Sequence, residues 1–152
     1  MTASRQSAAV VARVERMLPA PPDVVYRALT EPATMVRWMS PFGRAEVAAD
    51  VRPGGRLHVA MVEGDVRIEH AGVFLELDPP RRLSFTWRSE YTGTEPSVVT
   101  VELVARGAST WLVLTHERLP GEAVASHEGG WRSMLERLAE LLEPQDVEEA
   151  SG

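Results

Sequence analysis

Few side chains in this sequence are equipped for acid–base or ligand chemistry, and they are scattered. The four histidines, His58, His70, His116 and His127, stand on separate segments, without the paired spacing that brings imidazoles onto one metal ion. Cys and Lys are both absent from the 152 residues, which excludes disulfides, thiolate metal sites, thiol nucleophiles and Schiff-base chemistry. Gly-x-Ser-x-Gly, His-Glu-x-x-His and phosphate-loop patterns are missing as well, so no metal or cofactor is expected. His116, His70 and Glu76 remain. Each is suited to orient a ligand or to act as general acid or base in a dry cavity that moves its pKa.

Composition narrows the setting. A chain with 44% hydrophobic and 25% charged residues is an ordinary globular domain, long enough to bury about 70% of its unfolded surface. Twenty-two acids against 16 bases, all Arg, give a net charge of −6. Four of those acids (Glu143, Asp146, Glu148, Glu149) lie at the C-terminal end, leaving residues 1–142 nearly neutral. No basic stripe exists for a nucleic-acid backbone. Apolar runs such as Val59 to Val62 fall far short of the ~20 residues that cross a bilayer, and no signal pattern opens the chain. The expectation is a cytoplasmic protein with one domain over residues 8–143, between flexible tails at 1–7 and 144–152.

The elements that must position these side chains follow from periodicity and punctuation. Ala8 to Leu18 reads as an opening strand. Pro21-Pro22-Asp23 starts a helix that Glu31-Pro32 stops, and a second short helix is expected through Trp38. From Ala45 onward, short alternating runs are broken by Arg52-Pro53-Gly54-Gly55, Glu63-Gly64-Asp65, Asp78-Pro79-Pro80 and Arg106-Gly107-Ala108-Ser109, the pattern of an antiparallel meander of six strands. Trp131, Met134, Leu135, Leu138, Leu141 and Leu142 then recur at three-and-four spacing on one face of a long helix. Strand, two helices, six strands and helix predict an α+β fold in which a curved antiparallel sheet of about seven strands grips the last helix. Strong sheet twist leaves an apolar hollow between them.

Turn geometry also predicts which side chains face that hollow. A two-residue Gly64-Asp65 turn sets Val59 opposite His70, Leu57 opposite Gly72 and Met61 opposite Ile68. The Asp78 to Arg81 turn sets Phe74 opposite Phe85, Gly72 opposite Trp87 and Glu76 opposite Leu83. The Arg106 to Ser109 turn sets Val101 opposite Leu114 and Val99 opposite His116. The three registers put the large apolar residues on one face together with His70, Glu76 and His116, with Gly72 making room for the Trp87 indole. The candidate ligand-binding set is therefore Val59, Met61, His70, Phe74, Glu76, Phe85, Trp87, Val99, Val101, Leu114 and His116 on the sheet. Trp131 and Leu135 on the last helix and Trp38 and Phe42 at the mouth complete it. Gly129-Gly130 costs helix stability and predicts a bend or close packing where the helix opens the hollow. Val62, Trp111 and Val113 point outward and suit a homodimer or a partner protein.

Several strings also resemble one known family in order and spacing: Ala20 to Pro32, Trp38 and Arg52-Pro53-Gly54-Gly55-Arg56 in the first half, and Gly72 to Trp87, Leu112 to His116 and Gly130-Trp131 with Leu135 and Leu138 in the second. They are similar to the activator of heat-shock protein ninety ATPase homologues, a family of the START-like, or SRPBCC, superfamily. The resemblance spans about residues 8–142 and implies a helix-grip fold. The superfamily includes lipid and hormone binders, aromatic polyketide cyclases, self-sacrificing resistance proteins and co-chaperone domains. For this chain the resemblance implies a stand-alone module binding a hydrophobic or aromatic small molecule, lipid-like or polyketide-like. Its alternatives are a cyclase or hydrolase using His116 or Glu76, or a co-chaperone domain, although the chaperone-engaging N-terminal domain of the eukaryotic co-chaperone is not part of this sequence.

Overall fold

The computed structural model describes residues 11–93 and 95–144; the expected tail at 1–7, all but Pro144 of the expected tail at 144–152, and Ala8 to Val10 of the expected opening strand lie outside them. Proline punctuation sets the first elements. Strand β1 (Val11–Leu18) leads into helix α1 (Pro22–Thr30), which has a proline in its first turn and Asp23 near its N-terminus, where an acid complements the helix dipole. Helix α2 is the single turn Pro32–Met35, shorter than expected, because the chain leaves the helix before Trp38. The Trp38 indole donates to Ala28 O at 3.0 Å and ties this turn to α1.

The meander follows as β2 (Arg44–Ala49), β3 (Arg56–Glu63), β4 (Val66–Asp78), β5 (Arg82–Trp87), β6 (Ser97–Arg106) and β7 (Ser109–Glu117). A 3-10 turn, Gly121–Ala123, leads into helix α3 (Val124–Leu142). The seven strands form one antiparallel sheet in the order β1-β7-β6-β5-β4-β3-β2. Its concave face buries Phe74, Leu83, Phe85, Val101, Leu112 and Leu114 against Trp131, Leu135 and Leu138 of α3 and Val25, Leu29 and Met35 of the short helices. Helix α3 also guards an edge of the sheet. Glu128 accepts the Arg13 backbone N–H of β1 at 3.1 Å, and Glu136 pairs with Arg16 at 3.1 Å, so this edge strand is not left as a template for pairing. The arrangement is the expected α+β helix-grip fold.

Hairpin arithmetic holds for two of the three turns throughout: Leu57, Val59 and Met61 pair with Gly72, His70 and Ile68, and Val99, Val101 and Leu103 pair with His116, Leu114 and Leu112. In the third, Phe74 pairs with Phe85 as expected, but the register shifts between Phe74 and Glu76, so that Glu76 pairs with Ser84 and Leu77 with Leu83. One extra residue reverses every side chain beyond it. Glu76 therefore sits on the outer face and pairs with Arg82 at 2.9 Å, while Leu77 packs against the core. Gly72 is required for a different reason from the one expected. A Cβ there would stand 1.8 Å from the Thr86 carbonyl oxygen, so the close approach of the β4 and β5 backbones, rather than the indole, excludes a side chain. Outward-facing Trp111 is half-buried between its cross-strand neighbours Met17 and Val104, which are 44% and 43% exposed.

Candidate functional site

The grip is filled at one end and hollow at the other. Toward α1 and α2, Trp38, Phe74, Phe85, Val101 and Leu114 close in on a space of only about 20 Å³. Toward the N-terminal half of α3 the two layers part, leaving a half-open cleft of about 300 Å³. Met61 of β3, Ile68 and His70 of β4 and Trp87 of β5 form the sheet wall. Ser126, His127, Gly130, Trp131 and Met134 form the helix wall, and Pro41, Phe42 and Tyr91 come from loops. Gly130 contributes to the hollow by lacking a side chain: a Cβ at Gly129 or Gly130 would meet nothing within 4 Å. The expected close packing at this glycine pair is thus not what the structure contains.

Of the candidate residues, Phe42, Met61, His70, Trp87 and Trp131 meet around the cleft. Trp38, Phe74, Phe85, Val101 and Leu114 belong to the filled end. Val59, Val99 and Leu135 are core residues that line neither space. Glu76 is on the opposite face of the sheet, removed from the cleft by the register shift. His116 has the expected facing but lies fully buried behind Trp131 and does not line the cleft. Sequence reasoning missed His127 and Met134 as site residues, although they stand four before and three after Trp131 on the same helical stripe. Nothing in the local sequence marks Pro41 or Tyr91.

His116 is held in one tautomer by its neighbours. The Trp131 indole, which can only donate, gives its N–H to His116 Nδ1 at 3.0 Å. The ring proton therefore sits on Nε2 and is donated to Ser97 Oγ at 2.7 Å, and Ser97 in turn donates to the Trp87 carbonyl. This buried chain links the two tryptophans of the cleft wall, one on the helix and one on the sheet. Burial first, then the nearby His127 and His70, pushes the His116 pKa down to about 3. With both nitrogens engaged and the ring neutral, His116 fixes Trp131 and has no lone pair to offer a substrate.

His70 is different. Its ring stacks on Trp87 with centroids 4.6 Å apart and planes 26° from parallel, and Trp87 meets Trp131 at 5.4 Å. Burial lowers the His70 pKa to about 4, with the backbone carbonyls of Val59 and Ile68 partly offsetting it as acceptors for a ring N–H. His70 Nδ1 is buried without a hydrogen-bond partner among the described residues. Across the cleft, His127 Nδ1 lies 2.8 Å from Ala123 O, to which it donates. Among the described residues no three His, Asp or Glu side chains converge as metal ligands, and no helix is long and apolar enough to cross a membrane.

Comparison with known proteins places this geometry among relatives. The model of the Activator of Hsp90 ATPase homolog 1-like protein family matches residues 19–143. Among solved structures, CV1439 from Chromobacterium violaceum is 29% identical with a TM-score of 0.78, over 89% of this chain and 99% of that one. Mll3558 from Rhizobium loti is 30% identical with a TM-score of 0.70, over 85% and 94%. DynU16, a protein of the dynemicin biosynthetic locus, is 26% identical with a TM-score of 0.71, over 87% of this chain and 46% of that one. No curated protein matches the chain.

Proposed function

The chain belongs to the family of Activator of Hsp90 ATPase homolog 1-like proteins, and from that membership we propose that it is a binding module holding one small hydrophobic or aromatic molecule between the sheet and α3. The carrying observation is the uneven filling of the grip. Large side chains close one end to about 20 Å³, while the other end keeps about 300 Å³ walled by Phe42, Met61, Trp87, Trp131 and Met134. That volume lies at the lower limit of the ~300–1,000 Å³ usual for small-molecule sites, favouring a compact ring system over a long-chain lipid. The likeness to a protein of a biosynthetic locus is in keeping with a small-molecule partner.

Acid–base turnover by His116, Glu76 or His70 has less support. A general base needs a reachable lone pair and a pKa near the working pH. His116 has both nitrogens engaged, Glu76 lies outside the cleft, and His70 is held near pKa 4. The test is native mass spectrometry of gently purified protein, with denaturing extraction and identification of whatever is released. A discrete apolar or aromatic adduct is expected. A clean unliganded mass, with no rise in Tm across a panel of lipids and aromatic metabolites, overturns the proposal.

A further inference from the structure

Among the described residues, Trp131 alone lines both the open cleft and the small space at the filled end. The two hollows therefore lie on either side of one indole. The inner space holds about 20 Å³ between side chains such as Leu57, Leu83, Val101 and Leu114, room for about one water. Its lining offers that water no free polar side-chain atom, because the indole N–H groups of Trp38 and Trp131 are both spent, on Ala28 O and on His116. It is an apolar continuation of the cleft, closed off by a single side chain. That side chain is held in place. Trp131 is 2% exposed, rests against Trp87 with ring centroids 5.4 Å apart, and donates to His116 Nδ1 at 3.0 Å. Swinging the ring aside would leave a buried N–H without its acceptor, so the indole is a fixed partition rather than a gate.

We propose that Trp131 sets how deep a ligand can enter, ending the site at its indole and selecting compact molecules over elongated ones. This rests on the binding-module reading and adds the residue that limits ligand length.

The test is calorimetry with 4-alkylphenols, from methyl to octyl, and with 2-naphthol as the compact reference. In the unmodified protein, affinity is expected to rise by about fourfold for each methylene buried. It should then level off once the cleft is full, because further methylenes can extend only through the open side into water. In Trp131→Ala the levelling-off should move to longer chains. Levelling-off at the same length in both proteins, or an affinity that climbs through octyl in the unmodified protein, overturns the partition and leaves the binding module standing. Failure of 2-naphthol and of every alkylphenol to bind the unmodified protein overturns the binding-module reading itself. If Trp131→Ala does not fold or does not bind the series, Val101→Ala decides, since it enlarges the inner space and leaves the indole in place. Levelling-off at the unmodified length supports the proposal, and a move to longer chains with Trp131 present overturns it.

Discussion

Replacing Gly130 with alanine should make the protein more stable and a poorer binder, and the two effects have separate origins. Gly130 lies inside α3, where glycine costs about 1 kcal/mol relative to alanine through backbone entropy. A Cβ there would meet nothing within 4 Å, so no clash offsets the gain, and Tm should rise by about 2–4 °C. The same methyl group enters the space that Gly130 helps to line. Overfilling a fitted site costs about 1–3 kcal/mol, or roughly 5- to 150-fold in Kd, and the open side of the cleft places the loss at the lower end. Gly129→Ala is the matched control. It sits in the same helix with the same free space but does not line the cleft, so it should raise Tm without changing affinity. Thermal melts and titration calorimetry on the two variants check this. If Gly130→Ala melts lower, α3 packs more closely on its surroundings than described. If it melts higher and binds unchanged, the ligand does not sit against this helix.

Three further outcomes follow from the same geometry. His70 and His116 have folded pKa values of about 4 and about 3, below the ~6.5 of an unfolded histidine. Their contribution to stability is fully present above pH 6.5 and lost as pH falls toward 4. Denaturant unfolding should weaken by up to about 2.7 kcal/mol per pH unit near pH 5, where unfolding takes up two protons; a flat profile from pH 6.5 to 5 refutes the buried neutral rings. His116→Phe leaves the Trp131 indole N–H buried without its acceptor, which should cost about 1–3 kcal/mol and loosen Trp131, read as a lower Tm and weaker ligand binding; unchanged affinity would separate His116 from the positioning of Trp131. Glu76→Ala breaks an exposed ion pair with Arg82 and should cost less than about 1 kcal/mol with no effect on affinity; a clear loss of binding would return Glu76 to the ligand.

The sequence made the sheet legible where turns are short and faces are chemically distinct. Gly64-Asp65 and Arg106 to Ser109 each close a hairpin whose alternation fixes its register, and both registers are as expected. The shift at Leu75 left no mark, because neither glycine nor proline accompanies it and Leu-Glu-Leu alternates acceptably in either register. That single residue moved Glu76 across the sheet. Facing alone also says nothing about which part of a concave face is filled. Phe74, Phe85, Val101 and Leu114 face inward as truly as Trp87 does, yet they lie at the filled end, which Trp38, Met35 and Met39 close from a distant turn. The role of His116 was settled by Ser97 and Trp131, 19 and 15 residues away, which no local pattern ties to it.

The central claim, that a ligand lies between the His70–Trp87 stack and α3, is tested most directly by the indole N–H resonances of the four tryptophans during titration with 2-naphthol. Trp87 and Trp131 line the cleft, Trp38 is tied to Ala28 at the filled end, and Trp111 lies on the outer face. The account predicts saturable shifts at Trp87 and Trp131, with Trp38 and Trp111 unmoved. Shifts at Trp111 with Trp87 and Trp131 silent would place binding on the outside of the sheet and contradict it.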